Sequence, residues 1–260
     1  MSHDFVSYEV YSEDVVACTL NRPEKRNALC APLLQQLCAQ VEQAGNDAKI
    51  RVFILRANGP TFCAGLDFSE TVNPEIGANS AGILRRCLLA LYRMPAVTIA
   101  LVHGAAMGGG AGLVAACDFA IADPEATIGF PEVRRGLIPA QVMSLLIRKM
   151  KAADIRDLLL SGECVNAERA QHMGLFHRVG DVDELAREVT CQVLRAAPGA
   201  LAKTKRLMDQ LYSRDLHADL ETCLKVYMEA RQGDEAQEGV RAFLEKRKPA
   251  WEKPSPFPRP

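Results

Sequence analysis

The stretch AVTIALVHGAAMGGGAGLVAACDFAIADPEATIGFPEVRRGLIP, residues 96–139, decides the fold of this chain. It opens with an apolar, β-branched run, residues 96–102, which predicts a buried strand. The triplet Gly108-Gly109-Gly110 then feeds a second apolar run, residues 113–116, which indicates the start of a buried helix. Successive glycines at a helix start leave bare N–H groups and the positive end of the helix dipole at one point. We therefore expect a site here for an oxygen atom that carries negative charge.

A single carboxylate follows this anion site. Glu132 comes about twenty residues after the glycines, directly behind another strand-like run, residues 126–130. An anion site with one carboxylate on a nearby loop is what an enzyme needs to form an enolate. Its apolar neighbours Ile128, Phe130 and Val133 are expected to raise the pKa of Glu132 toward the working range.

A second motif lies earlier in the chain. The segment TFCAGLD, residues 61–67, follows a strand-like run at residues 51–57. Its F-x-A-G-x-D pattern and the H-G-x-x-x-G-G-G pattern of residues 103–110 together resemble the motifs of the enoyl-CoA hydratase/isomerase (crotonase) family. The resemblance covers nearly the whole chain. It implies an acyl-CoA enzyme with an α/β fold, a spiral of ββα repeats.

The resemblance also implies a division of the chain and an assembly. Residues 1–196 would form the spiral core, and residues 197–260 a helical region that packs subunits into trimers or dimers of trimers. Within the core, residues 33–44 and 83–92 are predicted to be helical. The Gly-, Asn-, Ser- and Pro-rich residues 69–82 predict a mobile loop at the mouth of the pocket.

Matching the family motifs residue by residue gives the candidate site. The backbone N–H groups of Ala64 and Gly109 would hold the thioester oxygen, and Glu132 would move a proton at the substrate α-carbon. Asp67 is expected to brace its loop. The segment LNRPEKRNAL, residues 20–29, and the F-x-E-K-R segment of residues 243–247 resemble the parts of the family that contact coenzyme A. The substrate-binding and CoA-binding residues implied in this way are Lys25, Arg26, Ala28, Ala64, Gly65, Leu66, Asp67, Gly109, Phe243 and Lys246.

One departure from the family leaves the reaction open. Hydratases carry a water-activating glutamate two residues after the glycine triplet, where this chain has Gly112. Glu132 alone could still hydrate a 2-enoyl-CoA, and residues 131–141 resemble members that act on branched or aromatic acyl groups. Alternatives are isomerisation with Glu132 as the sole base, decarboxylation or hydrolysis at the oxyanion site, and a non-catalytic acyl-CoA-binding protein. Substituting Gly112 with Glu tests whether the pocket accepts a second carboxylate.

Composition excludes several other classes. The 260 residues carry a net charge of −1, which gives no basic field to attract nucleic acid or an anionic membrane. No run of 18 apolar residues predicts a membrane span, and the N-terminal residues lack a signal pattern. The nine cysteines form no C-x-x-C pair, which favours reduced thiols in a cytoplasmic protein without a metal site. No cofactor is expected beyond the coenzyme A of the substrate.

Overall fold

A computed structural model of the chain describes residues 4–71, 74–135, 137–211, 233–235, 238, 242, 245–251 and 253. These residues belong to two compact units, which divide between Ala186 and Arg187. The boundary expected from the family resemblance, between residues 196 and 197, remains a prediction.

Strands and helices alternate through most of the described chain. The strands are β1 (Val6–Ser12), β2 (Val15–Leu20), β3 (Val52–Ala57), β4 (Val97–Val102), β5 (Ala105–Met107), β6 (Phe119–Ala122), β7 (Thr127–Gly129), β8 (Cys164–Asn166) and β9 (Arg178–Val179). The helices are α1 (Ala31–Asn46), α2 (Phe68–Thr71), α3 (Pro74–Arg93), α4 (Gly109–Ala116), α5 (Ala140–Leu146), α6 (Ala152–Ser161), α7 (Ala167–His172), α8 (Val182–Leu194) and α9 (Pro198–Leu211). Two short 3-10 helices cover Pro23–Lys25 and Pro131–Arg135.

The strands form two sheets. One has six strands in the order β1-β2-β3-β4-β6-β9, with β1 antiparallel to β2 and every other neighbouring pair parallel. The other has three strands in the order β5-β7-β8, in which β5 and β7 are parallel. From β4 to β7 successive strands alternate between the sheets, since β4 and β6 lie in the first and β5 and β7 in the second. The strand pairs β4–β5 and β6–β7 therefore place one strand in each sheet, whereas β1 and β2 both lie in the larger sheet.

The core of the first unit lies around the larger sheet. Strands β2 and β4 are buried along their whole length, which explains why each is apolar except for one threonine. Helix α4 is also buried at every position from Gly109 to Ala116. A short helix without a polar face is stable only inside a core, so the glycine triplet is fixed by packing on all sides.

One predicted element is wrong. Residues 69–82 were expected to form a mobile loop, but the described part of this segment belongs to α2 and to the first turns of α3. Pro74 stands at the first position of α3, where a missing N–H costs nothing. The Glu70 carboxylate accepts hydrogen bonds from the Ala31 N–H at 3.0 Å and from the Ser80 hydroxyl at 2.7 Å. These bonds attach α2 both to the start of α1 and to α3.

The second unit contains α9. The Glu235 carboxylate accepts hydrogen bonds from the N–H groups of Gly199 and Ala200, each at 2.9 Å, and so caps the start of this helix. Within the described residues of the whole chain, no helix is long and apolar enough to cross a membrane.

Candidate active site

Backbone hydrogen bonds bring the two glycine-containing motifs together. The Cys63 N–H donates to the Ala105 carbonyl at 3.0 Å, and the Met107 N–H donates to the Cys63 carbonyl at 2.9 Å. These two bonds form an isolated bridge between Cys63 and Ala106, directly before the glycine triplet. The two turns are therefore adjacent, as a shared oxyanion site requires.

Two further segments join the same place. The Leu29 N–H donates to the Gly65 carbonyl at 2.8 Å, and the Asp67 N–H donates to the Leu29 carbonyl at 3.1 Å. On the other side, the Gly108 N–H donates to the Gly129 carbonyl at 2.9 Å, which links the triplet to the strand that leads to Glu132. Main-chain bonds thus hold all four segments of the site.

Two glycines have backbone conformations that the close approach of these segments demands. Gly65 has φ of 91°, and a Cβ atom there would lie 2.9 Å from the Met107 carbonyl oxygen and 3.6 Å from the Gly109 nitrogen. Gly108 has φ of 52°, and a Cβ atom there would lie 3.0 Å from Oε1 of Glu132. Side chains are thus excluded at both positions.

Glu132 faces the glycine triplet. It lies in the 3-10 helix Pro131–Arg135, and its carboxyl group approaches Gly108, the residue before the start of α4. Its Oε2 atom is buried. Of the apolar neighbours expected to surround it, Ile128 and Phe130 are buried, whereas Val133 is exposed. The structure therefore brings the predicted carboxylate to the predicted anion site.

The expected donor at Ala64 needs correction. The Ala64 N–H donates to the Arg26 carbonyl at 3.0 Å, so it is already used. Among the described residues, neither the Leu66 N–H nor the Gly109 N–H has a hydrogen-bond partner. The side chain of Leu66 also lies close to Gly109, since a Cβ atom on Gly109 would be 3.8 Å from its Cγ. Leu66 therefore replaces Ala64 as the candidate partner of Gly109.

Gly112 does not face an open polar pocket. A Cβ atom at this position would lie 2.6 Å from Cγ1 of Val142 on α5 and 3.6 Å from Cδ2 of Leu88 on α3. The space that a second catalytic side chain would enter is occupied by an aliphatic one. The structure gives no room for a glutamate here without repacking α5.

Asp67 braces the loop of residues 61–67, as the sequence predicted. Its Oδ2 atom accepts a hydrogen bond from Arg22 at 2.6 Å, and its Oδ1 atom accepts from the Ser69 N–H and hydroxyl. Partial burial raises the pKa of the Asp67 carboxyl, but the bonds from Ser69 and Arg22 outweigh it and hold the pKa below its ordinary value. The carboxylate is thus fixed in its charged form.

Sequence reasoning did not select Arg22 and Asn27, two residues that organise this loop. The Arg22 guanidinium bonds both Asp67 and the Ala28 carbonyl, the latter at 3.0 Å. Asn27 is buried with φ of 52°, and its amide donates to the carbonyls of Asn58 and Thr61 at 2.9 and 2.8 Å. The sequence signal for Arg22 and Asn27 was their position in the segment of residues 20–29. The family resemblance implied roles only for other residues of that segment.

The residues expected to contact coenzyme A are distributed as follows. Lys25 and Arg26 are exposed, and Ala28 is half-buried in the same segment. Lys246 is exposed and belongs to the second unit. Phe243 lies outside the described residues. The roles of all five remain predictions.

One thiol lies at this point. Cys63 is buried next to the oxyanion turn, and burial raises the pKa of its thiol to about 12, so it stays protonated. Among the described residues, no group of three or more His, Cys, Asp or Glu side chains is arranged to hold a metal ion.

Comparison with known proteins shows the family of this chain. The family model described as enoyl-CoA hydratase/isomerase matches residues 11–254. The 2,3-dehydroadipyl-CoA hydratase of Escherichia coli is 33% identical over 239 residues, covering 90% of this chain and 94% of the relative. The enoyl-CoA isomerase/hydratase fer4 of Mycosarcoma maydis is 35% identical over 250 residues, covering 89% and 90%.

Solved structures confirm the fold. The crystal structure of an enoyl-CoA hydratase from Mycobacterium smegmatis superposes with a TM-score of 0.90 at 30% identity, covering 96% of this chain and 99% of the other. The α/β fold expected from the motifs is thereby confirmed, and the relatives are enzymes by name. The chain belongs to the enoyl-CoA hydratase/isomerase, or crotonase, family.

Proposed function

We propose that this enzyme adds water across the C2=C3 bond of a 2-enoyl-CoA, including branched acyl groups, through a thioester enolate. The observation that supports this best is the position of Glu132, whose carboxyl group lies against Gly108, the residue directly before the Gly109 N–H. A proton-transfer group and two hydrogen-bond donors at one point match the needs of an enolate intermediate.

The N–H groups of Leu66 and Gly109 would stabilise the enolate. When water adds at C3, negative charge develops on the thioester oxygen. The Gly109 N–H is the first of α4, so the helix dipole reinforces its bond to that oxygen. Each such donor is worth about 3–4 kcal/mol by comparison with oxyanion holes in which one donor was removed.

Glu132 would act as base and then as acid. Its carboxylate takes a proton from water while the water oxygen bonds to C3, and the resulting carboxylic acid returns the proton to C2 of the enolate. The cycle balances with one carboxylate, so the absence of a side chain at Gly112 does not by itself prevent hydration. Lys25, Arg26, Ala28, Phe243 and Lys246 are proposed to contact the coenzyme A part of the substrate, and no further cofactor is required.

Replacing Glu132 with Gln tests this proposal. We expect kcat with a 2-enoyl-CoA to fall by about 10²-fold or more, because acid–base groups contribute that much. The loss of absorbance of the conjugated thioester measures the rate. The control is Glu125→Gln, the same change at an exposed position before β7, which should leave the rate unchanged. Near-normal turnover of Glu132→Gln would remove Glu132 from the mechanism.

A second candidate is isomerisation of a 3-enoyl-CoA to a 2-enoyl-CoA. The observation that favours it is the aliphatic environment of Gly112, because moving one proton from C2 to C4 through a dienolate needs no water-activating group. Incubation with a 3-enoyl-CoA distinguishes the two reactions. Formation of the conjugated thioester indicates isomerisation, and binding of both substrates without turnover of either would favour a non-catalytic acyl-CoA-binding protein.

Assembly and location follow from the family resemblance alone. We propose that the protein forms trimers or dimers of trimers and acts in the cytoplasm, without nucleic-acid or membrane partners. Sedimentation equilibrium of the purified protein tests the assembly, and a monomer would contradict it.

A further inference from the structure

One polar side-chain atom on α5 is buried without a partner. The Oε1 atom of Gln141 is buried, and it has no hydrogen-bond partner among the described residues. The Nε2 atom of the same amide donates to the Ala81 carbonyl at 3.1 Å. Because a carbonyl oxygen can only accept, the atom that faces it must be the nitrogen, and this fixes the orientation of the amide. Gln141 therefore presents a buried acceptor that needs a donor.

An unpaired acceptor of this kind is unusual. Most buried polar side-chain atoms in proteins are paired, because a buried group without a partner loses its hydration and gains nothing in return. The buried hydroxyl of Thr190 on α8 also has no partner, but a hydroxyl rotates freely and can bond its own helix. The Gln141 amide lacks this freedom, since its nitrogen is already bound. Its donor is therefore expected to come from outside the protein.

Gln141 lies where α5 meets α3 and α4. The next residue, Val142, is the one whose Cγ1 atom would lie 2.6 Å from a Cβ atom on Gly112. On α3, one turn after the carbonyl that Gln141 binds, Cδ2 of Leu84 would lie 3.0 Å from a Cβ atom on Gly109. The neighbours of Gln141 on both helices thus pack against α4, the helix that begins with the glycine triplet.

The same stretch of chain carries Glu132. The 3-10 helix Pro131–Arg135 precedes α5, and the Leu137 N–H donates to the Glu132 carbonyl at 3.0 Å. Residues 131–146 therefore supply both the proposed proton-transfer group and the unpaired acceptor. The acceptor follows Glu132 by nine positions, on the helix whose next side chain fills the space beside Gly112.

The proposed reaction provides one matching donor. Near its reacting carbons a 2-enoyl-CoA carries only C–H groups and the thioester oxygen, which accepts. The attacking water has two O–H groups. Glu132 takes one of the two protons and returns it to C2, whereas the other hydrogen stays on the oxygen and becomes part of the 3-hydroxyl group of the product. That second hydrogen needs an acceptor but no base.

From these observations we infer that Oε1 of Gln141 holds the attacking water, by accepting a hydrogen bond from the hydrogen that Glu132 does not remove. The inference rests on the proposed hydration. A neutral amide is sufficient here because no proton is transferred to it, so a carboxylate at residue 112 is not needed for this task. After the addition, the same oxygen accepts from the 3-hydroxyl group of the product.

Gln141→Met tests the inference, because Met has a similar length and no strong acceptor. We expect kcat for hydration of a 2-enoyl-CoA to fall by roughly 2- to 10-fold, the equivalent of one neutral hydrogen bond. Exchange of the C2 proton of a saturated acyl-CoA for deuterium uses the oxyanion donors and Glu132 but no attacking water, so its rate should not change. The control is Gln171→Met, the same change at an exposed position on α7, which should alter neither rate.

Binding of the product gives a second measurement, without turnover. In the Glu132→Gln background, calorimetric titration should show that a 3-hydroxyacyl-CoA binds roughly 2- to 10-fold more tightly than the saturated acyl-CoA of the same length. Adding Gln141→Met should remove this difference, because the hydroxyl group then has lost its acceptor. An unchanged preference for the hydroxylated ligand would contradict the inference.

The outcomes separate this inference from the proposed function. If the wild-type enzyme hydrates a 2-enoyl-CoA and Gln141→Met does so at the same rate, the inference is overturned while the proposed function stands. If Gln141→Met lowers hydration and deuterium exchange equally, Gln141 only supports the fold around the site, and the inference is again overturned. If the wild-type enzyme hydrates no 2-enoyl-CoA, both are overturned.

Discussion

The aliphatic packing around Gly112 predicts how this position responds to a single added carbon. A Cβ atom at residue 112 would lie 2.6 Å from Cγ1 of Val142, far inside an ordinary contact, while the nearest Leu88 methyls would lie at 3.6 and 3.7 Å. The overlap thus involves essentially one methyl group. Gly112→Ala in α4 should therefore destabilise the protein unless Val142 is shortened.

The magnitude follows from two opposing effects. Replacing Gly by Ala inside a helix stabilises it by about 1 kcal/mol, whereas overpacking a core costs about 1–3 kcal/mol. Gly112→Ala alone should then lower the free energy of unfolding by about 0–2 kcal/mol. In Val142→Ala, which itself loses about 1.6 kcal/mol for two methyl-sized groups, the same change should raise it by about 1 kcal/mol. The coupling between the two sites is therefore expected to be about 1–3 kcal/mol.

Denaturant unfolding of the four proteins of this double-mutant cycle measures the coupling. Gly82→Ala is the control, because it lies in α3 and no atom stands within 4 Å of the added carbon, so only the gain in helix propensity remains. A coupling energy below about 0.5 kcal/mol would refute the packing argument, since independent sites add to within that value. The same packing predicts that Gly112→Glu lowers, and does not improve, hydration of a simple enoyl-CoA.

Three more predictions concern the loops around the site. Asp67→Asn should lower the free energy of unfolding by roughly 1.5–3 kcal/mol at neutral pH. Because the pKa of Asp67 is lowered in the folded protein, the stabilisation by its carboxylate is present above about pH 3.9 and is lost as the pH falls further. The unfolding curves of variant and wild type should therefore converge in acid. Asp157→Asn, in an exposed ion pair, should cost under about 1 kcal/mol and not show this convergence. Asn27→Asp should destabilise by roughly 3 kcal/mol or more, measured in the same way, because it places a buried carboxylate against two carbonyl oxygens. A structure with bound acyl-CoA should place the thioester oxygen about 2.7–3.1 Å from the nitrogens of Leu66 and Gly109, and an oxygen bonded elsewhere would contradict the assignment.

The elements that the sequence predicted correctly share one property: each is marked by a run of apolar residues or glycines within a few consecutive positions. The apolar run of residues 96–102 became β4, and the glycine triplet with the apolar run behind it became the start of α4. Segment 69–82 failed because its Gly, Asn, Ser and Pro content favours a loop, while the helix is stabilised by contacts of Glu70 with Ala31 and Ser80. Such contacts override weak local propensity and leave no mark on a single sequence.

The oxyanion donor illustrates the same limit at atomic scale. A tight turn such as residues 62–67 presents several N–H groups, and the sequence cannot say which of them point inward. That depends on the segment of residues 26–29, whose carbonyl groups accept from Ala64 and Asp67 and leave Leu66 between them. The motif predicted the turn, and the hydrogen bonds of a segment about forty residues away in the chain favour Leu66 over Ala64 as the candidate donor.

The construction of the site explains how its chemistry can change while its fold does not. The proposed oxyanion donors are held by main-chain bonds among four segments, none of which requires a particular side chain at residue 112. The proton-transfer group, in contrast, is one carboxylate on a separate 3-10 helix that reaches Gly108 from the outside. Under the proposed mechanism, losing a second carboxylate therefore leaves enolate stabilisation intact and removes only the means of activating water at that position. We propose that Glu132 moves a proton either from water or from substrate carbon, and the comparison of 2-enoyl and 3-enoyl substrates distinguishes these two reactions.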